Sequence, residues 1–264
     1  MKRIPIIAVL LALAALPGLA DQDQNCRTGV PTWHPGYWWS YQAQGLMEDL
    51  GVWGEIYQVT QADRFERYVL GVRRIDDEDF YIASTIIWTD RGPLVRLRFY
   101  PADTMEHGYP LEPSALELRS PVKIFDFPLW VGKRWIAFPE HIYRGVEYPA
   151  LEAEVVGIEE ADVPAGKLPS FRIHYHYRQG SLSEWDLWYS SHLGTWVKQA
   201  WDGGAKWLKL AQFWWFSPAE ALDRTYRALE EAIEVFPDEA MIALALLIQY
   251  NFDPDRAWAL LERP

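Results

Sequence analysis

The sequence predicts a mainly β protein that ends in a helical segment. Between residues 33 and 215, short apolar or alternating runs are rich in β-branched and aromatic residues. Gly, Pro, Asp and Asn separate these runs at short intervals, as in antiparallel sheets with tight turns. From Ser217 onward, apolar residues recur at helical spacing instead. We therefore expect a β domain over residues 33–216 and a helical tail over residues 217–264.

Composition places the chain among globular proteins and excludes several classes. Half of its 264 residues are hydrophobic and 15% are aromatic, which is enough apolar material for a sizeable core. Lys+Arg 25 against Asp+Glu 37 gives a net charge of −12. This charge argues against a nucleic-acid partner, because such proteins need a basic face. A single cysteine excludes a disulfide framework and a cysteine-rich zinc module.

The first residues have the pattern of a cleaved export signal. Two basic residues precede an apolar run over residues 4–16, and small residues lead to Ala20. The run is shorter than the roughly 20 apolar residues that span a bilayer. We expect loss of residues 1–20, a flexible segment over residues 21–32, and a periplasmic or secreted mature chain without a transmembrane segment. Five polar residues separate Cys26 from the signal, a spacing that disfavours acylation of this thiol.

Six runs illustrate the predicted strands, at residues 53–60, 67–72, 80–88, 94–100, 171–177 and 183–189. The β region also resembles itself, with matching features in the same order over residues 33–110 and 125–215. The matches are the tryptophan-rich strand openings at 33–41 and 129–138, the glycine-containing strands at 69–72 and 155–158, and the positions Trp88 and Trp188. We expect two related, curved antiparallel units. Coincidence among common strand sequences is the alternative.

Three turn motifs in the second half carry a family resemblance. Residues 127–135 read FPLWVGKRW, residues 163–166 read VPAG, and residues 188–198 read WYSSHLGTWVK. These segments resemble a group of exported bacterial proteins whose sheets are similar to the half-barrel of periplasmic lipoprotein carriers. The resemblance covers about residues 125–200 and implies an open barrel or half-barrel. Its motifs describe turns, so no functional residue is carried over from the family.

The helical tail has its own start and stop signals. Ser217 begins a capping box that Glu220 completes, and Pro237 ends this helix. Asp238 and Asp253 can cap a second and a third helix. The spacing resembles an incomplete pair of tetratricopeptide-type helices, too few to fold alone. We expect these helices to pack on the sheet or cover an open edge, with a partner-docking module as the alternative.

Aromatic residues are the most unusual feature, with 15 Trp, 14 Tyr and 11 Phe. Most of them must fill the core, but tryptophan is rarely fully buried and its N–H requires a partner. Clustered tryptophans therefore favour a cleft with apolar walls. The candidate ligand-binding residues are Trp38, Trp135, Trp185 and Trp188. A deep apolar trough would suit an acyl chain or a hydrophobic peptide segment, whereas flat exposed rings would suit sugars.

His174 and His176 are the candidate metal ligands. On a strand they share one face, and such a pair can begin a zinc or copper site. Arg172 and Arg178 share that face and repel a divalent cation. We therefore predict a solvent-facing row, with no bound metal and no other cofactor.

No catalytic motif is recognisable, whether a nucleophile elbow, a phosphate-binding loop or a zinc-protease helix. A non-enzymatic role is favoured, while catalysis by dispersed residues stays open. We expect an exported protein that binds an apolar ligand: a lipid, a lipoprotein tail or a hydrophobic polypeptide segment. The alternatives are a glycan-binding module with exposed tryptophans and a structural partner in a cell-envelope complex through residues 217–264.

Overall fold

The computed structural model describes residues 27–50, 57–105, 123–143, 146–178 and 184–262. The predicted export signal, Cys26 and part of the predicted strand over residues 53–60 lie outside them. The strands are β1 (Tyr37–Leu50), β2 (Tyr57–Ile75), β3 (Glu78–Thr89), β4 (Gly92–Pro101), β5 (Arg134–Phe138), β6 (His141–Tyr143), β7 (Val146–Tyr148), β8 (Leu151–Val163), β9 (Gly166–Tyr177), β10 (Trp185–Ser190), β11 (Thr195–Trp201) and β12 (Lys206–Trp215). The helices are α1 (Pro218–Val235), α2 (Pro237–Gln249) and α3 (Pro254–Leu261).

Ten strands form one antiparallel sheet in the order β4-β3-β2-β1-β12-β11-β10-β9-β8-β5, and β6 pairs with β7 alone. The pairing of β1 with β12 joins two meanders, one made of β1–β4 and one made of β5 and β8–β12. In the described chain the two edge strands, β4 and β5, do not pair, so the curved sheet stays open. The predicted fold class, a mainly β protein with an open curved sheet and C-terminal helices, is confirmed.

One backbone contact shows how strongly the sheet curls. The N–H of Ala165, in the turn between β8 and β9, donates to the carbonyl of Leu210 on β12 at 3.1 Å. Two strands, β10 and β11, separate β9 from β12 in the sheet. A flat sheet would hold β9 and β12 roughly 14 Å apart at about 4.8 Å per strand. The sheet therefore folds around its own inner face.

Strand β3 is buried on both faces, and its eight consecutive buried residues are 80–87. Ile82 packs on the outer side in the cluster that the helices share, whereas Tyr81 packs on the inner side. Helix α1 contacts β2, β3 and β4. The hydroxyls of Ser84 and Thr225 share a hydrogen bond of 2.7 Å between β3 and α1, and both side chains are fully buried. The helices thus complete the core on the outer face of the first meander.

The helix boundaries follow the predicted caps in two of three cases. The Ser217 hydroxyl accepts a hydrogen bond from the backbone N–H of Glu220 at 3.1 Å, and Asp253 caps α3. The predicted cap by Asp238 is wrong, because α2 begins at Pro237 and Asp238 lies in its first turn. Proline fits this first position since its nitrogen has no hydrogen to satisfy.

Across the described residues, no helix is both long and apolar enough to cross a membrane.

The predicted repeat coincides with matched irregularities in the sheet. Strand β2 shifts register just before Gly71 where it pairs with β3, and β8 shifts just before Gly157 where it pairs with β9. These β-bulges increase local twist and occur in the second strand of each meander. Trp88 and Trp188, which the repeat would match, lie on β3 and β10. Strand β3 is the third strand of the first meander, whereas β10 is the fourth strand of the second. The two-unit organisation stays a prediction, and the paired bulges support it.

Gly36 connects the start of β1 to the chain that enters α1. Its N–H donates to the carbonyl of Val69 at 2.7 Å, and its carbonyl accepts from the N–H of Phe216 at 2.8 Å. Its φ is +95°, and an added Cβ would lie 2.1 Å from the carbonyl oxygen of Phe216. A side chain is therefore disfavoured both by the backbone conformation and by the neighbouring backbone.

The substitution Gly36→Ala is expected to lower the free energy of unfolding by roughly 3 kcal/mol or more, because φ strain and displacement of a backbone segment add. Gly132→Ala is the matched control: its φ is +86°, but its Cβ would meet nothing within 4 Å. That control should lose only about 1–2 kcal/mol. Urea denaturation measures both losses, and equal losses would contradict the predicted clash with Phe216.

Candidate functional site

A cavity of about 370 Å³ lies on the inner face of the curved sheet. Nine aromatic residues line it: Trp33, Phe65, Tyr100, Phe125, Phe127, Trp185, Tyr189, Trp196 and Trp201. Six further apolar residues line it: Pro31, Ile87, Met105, Ile124, Leu187 and Leu208. The remaining lining residues that the structure describes are Arg67, Thr85, Arg98, Gly194, Thr195 and Gln199. The volume lies within the range of about 300–1,000 Å³ that is usual for small-molecule sites.

Strand register determines which side chains face the cavity. On one wall, Phe65 pairs with Ile87 and Arg67 pairs with Thr85 across β2 and β3. Directly paired residues of antiparallel strands point to the same face, so these four side chains share the inner face. The opposite wall comes from β10 and β11, so the cavity depends on the curl of the sheet.

Lys133 holds the segment that covers one side of the cavity, residues 124–127. Its side chain is only 8% exposed, and its ammonium lies 2.9 Å from the carboxylate of Asp126. It also donates to the backbone carbonyls of Asp126 and Pro128 and lies 4.7 Å from the ring centroid of Trp130. This role was not predicted, because a lysine after a turn glycine resembles an ordinary surface lysine. The position of Lys133 inside the FPLWVGKRW segment was the one sequence feature that could have indicated a structural role.

Tyr41 connects the central strand β1 to the cavity wall. Its side chain is 1% exposed, and its ring stacks on Trp196 with centroids 4.0 Å apart. Its hydroxyl donates to the carbonyl of Trp196 at 3.1 Å and lies 3.2 Å from the hydroxyl of Thr195. Burial raises the pKa of Tyr41 to about 12, and the positive charge of Arg67 opposes this shift in part.

Trp185 and Trp135, two of the four predicted ligand-binding residues, lie on the second meander. Trp185 lines the cavity and stacks on Tyr175 with centroids 5.0 Å apart. Trp135 is half-buried on β5, outside the residues that line the cavity, and its indole N–H donates to the carbonyl of Lys123 at 2.7 Å.

Trp38 and Trp188 lie away from the cavity. Trp38 packs in the cluster that the helices share, 5.6 Å from the ring of Phe216. The Trp188 indole N–H donates to the Glu159 carboxylate at 2.5 Å, and the Lys198 ammonium lies 4.0 Å from its ring centroid. The structure therefore does not bring the four tryptophans together.

Besides Trp185, the tryptophans that line the cavity are Trp33, Trp196 and Trp201. These three were not among the predicted ligand-binding residues. On β10, the alternation of side chains between the two faces of a strand could have shown that Trp185 and Trp188 do not line the same space. Trp185 and Trp188 are three residues apart and therefore point to opposite faces of a strand.

An exposed tryptophan pair lies at the end of β12. The rings of Trp214 and Trp215 stack with centroids 5.1 Å apart and an angle of 4° between their planes. They are 46% and 64% exposed. They form a flat apolar surface separate from the cavity.

His174 and His176 lie on the outer face of β9 within a row of ion pairs. His174 Nδ1 lies 3.0 Å from Asp186, and His176 Nε2 lies 3.5 Å from Glu152. Arg172 also pairs with Asp186, at 2.9 Å. Among the described residues, no group of three His, Cys, Asp or Glu side chains is arranged to hold a metal ion.

Two solved structures have a distant structural likeness to this chain. The sequence matches no protein-family description and no curated protein. A solved structure from Parabacteroides distasonis, described as a "putative lipoprotein", is 10% identical, aligns over 71% of this chain and 99% of its own, and has a TM-score of 0.37. A "putative exported protein" of Bacteroides fragilis with a YmcC-like fold is 10% identical, aligns over 72% and 100%, and has a TM-score of 0.36. Neither likeness assigns an activity.

The raised pKa of Tyr41 predicts a loss of stability in alkaline solution. The folded pKa of about 12 lies above the unfolded value of about 10, so this contribution is complete below pH 10 and is lost as the pH rises toward 12. Wild-type protein should lose about 2 kcal/mol more than Tyr41→Phe between pH 9 and pH 12. Urea unfolding followed by circular dichroism at both pH values measures this difference. Equal losses in the two proteins would contradict a buried, neutral Tyr41 in the fold.

Proposed function

We propose that this protein is an exported, non-enzymatic binder of an apolar ligand, and that the hydrocarbon part of the ligand occupies the cavity. The observation that carries the proposal is an interior space of about 370 Å³ with fifteen apolar lining residues. Burial of apolar surface contributes roughly 25 cal/mol per Å². Such a space therefore favours an apolar occupant over water.

The size of the cavity favours one hydrocarbon chain. A volume of 370 Å³ corresponds to about a dozen groups the size of a water molecule, at about 30 Å³ each. A single chain of about ten carbons is of this size. The acyl chain of a lipid, a lipoprotein tail and an apolar polypeptide segment each offer such a portion.

Export is the second part of the proposal. It rests on the pattern in residues 1–20, where a basic start, a short apolar run and small residues follow one another. A ligand of the cell envelope would be accessible in that compartment.

The substitution Gln199→Trp tests the proposed binding site, because Gln199 lines the cavity and is half-buried. An indole at this position would occupy part of the space. N-phenyl-1-naphthylamine, an uncharged apolar dye, should bind the wild-type protein with increased fluorescence, and decan-1-ol should displace it. Gln199→Trp should weaken dye binding at least tenfold, which corresponds to about 1.4 kcal/mol.

Gln212→Trp provides the control, since the same side chain is introduced at an exposed position on β12. This variant should bind the dye as the wild-type protein does. If the wild-type protein binds neither the dye nor the alcohol, the proposed function is wrong. If all three proteins bind the dye equally, the cavity is not the binding site.

A further inference from the structure

The charge of the cavity is opposite to that of the whole protein. The chain carries a net charge of −12. The described residues that line the cavity include two arginines, Arg67 and Arg98, and no Asp or Glu. Arg98 has further interactions of its own, which leaves Arg67 as the candidate group for a ligand. A positive group inside an acidic protein favours an anionic ligand at this point.

Arg67 and Thr85 form a polar pair within the apolar wall. They are directly paired across β2 and β3, and both side chains line the cavity. Arg67 Nε and the Thr85 hydroxyl oxygen are buried, and neither has a hydrogen-bond partner among the residues that the structure describes. Thr85 is only 7% exposed, so solvent does not readily replace the missing partner.

The described neighbours of Arg67 include two aromatic rings. Its guanidinium carbon lies 5.5 Å from the ring centroid of Tyr100 and 5.7 Å from that of Trp196. Aromatic faces attract a cation but provide no oxygen acceptor for Nε. A buried polar group without a hydrogen bond is costly, so the site would gain from an acceptor on the ligand.

An oxyanion matches the donors at this site. Carboxylate and phosphate oxygens only accept hydrogen bonds, whereas a guanidinium only donates and a hydroxyl can donate. The guanidinium fork can also hold two oxygens of one group. An uncharged head group, such as an alcohol, offers a weaker partner to Arg67.

Given the apolar-ligand function proposed above, we propose that the ligand carries a negatively charged oxyanion group, which Arg67 and Thr85 bind while its hydrocarbon chain occupies the aromatic part of the cavity. The ligand class is therefore an anionic single-chain amphiphile, with either a carboxylate or a phosphate head group.

The test compares head groups on one chain length, using displacement of N-phenyl-1-naphthylamine at pH 7.5. The competitors are decan-1-ol, decanoate and decyl phosphate. Decanoate or decyl phosphate should bind the wild-type protein at least about tenfold more tightly than decan-1-ol, the size of a charge-assisted hydrogen bond. The stronger of the two anions identifies the head group.

Arg67→Met should remove this preference, so that this variant binds decanoate and decyl phosphate no more tightly than it binds decan-1-ol. Arg64→Met is the matched control, because it removes the same charge from the same strand, β2, at a residue outside the cavity lining. The Arg64 guanidinium lies over the Trp88 ring, 4.6 Å from its centroid. This control should keep the preference for the anion.

The outcomes separate the two proposals. If decan-1-ol binds and neither anion binds more tightly, the oxyanion site is wrong and the apolar cavity function stands. If the preference survives in Arg67→Met, Arg67 does not form the site and the inference is also wrong. If no competitor and no dye binds, the apolar-ligand function fails and the oxyanion inference fails with it. The wild-type comparison needs no variant, so it decides the head-group preference even if Arg67→Met does not fold.

Discussion

The curl of the ten-stranded sheet around its inner face determines where the buried rings pack and where the cavity lies. The β1–β12 pairing holds the two meanders side by side, and the right-handed twist of strands brings their far walls toward each other. Inner-face rings such as Trp33, Trp39 and Tyr81 pack together. The ring centroid of Trp33 lies 5.1 Å from that of Trp39 and 5.8 Å from that of Tyr81. Farther along the same face, between β2–β3 and β10–β11, the rings leave a space of about 370 Å³.

Helices α1–α3 cover the outer face of the first meander, whose inner face forms one wall of the cavity. Strands β2–β4 carry apolar residues on their outer face, where Ile82 on β3 and Leu97 on β4 share one core with Leu244 on α2. Each buried side chain of this type contributes roughly 1.5–3 kcal/mol. Among the described residues no helix covers β9, where polar and apolar residues alternate and ion pairs occupy the outer face. Helices α1–α3 are therefore part of the core of the protein.

Local patterns predicted the strands and helices well because their signals lie within a few residues. The alternation of buried Ile173 and Tyr175 with half-buried His174 and His176 was predictable from the period of a strand. The sequence predicted an apolar cleft but not the residues that line it, because these depend on the pairing of β1 with β12, far apart in sequence. Alternation within β10 could have separated Trp185 from Trp188, whereas the local sign for Lys133 was its position inside the FPLWVGKRW turn segment.

Four tryptophans of the inner face, Trp33, Trp185, Trp196 and Trp201, line the space that we propose as the binding site. Indole N–H signals in ¹H–¹⁵N NMR spectra show whether a ligand enters this space, since each tryptophan gives one such signal. Addition of N-phenyl-1-naphthylamine should shift the indole signals of Trp33, Trp185, Trp196 and Trp201 and leave those of Trp214, Trp215 and Trp258 in place. Trp214, Trp215 and Trp258 are the exposed tryptophans in the part of the chain that the structure describes, and shifts confined to them would contradict an interior site.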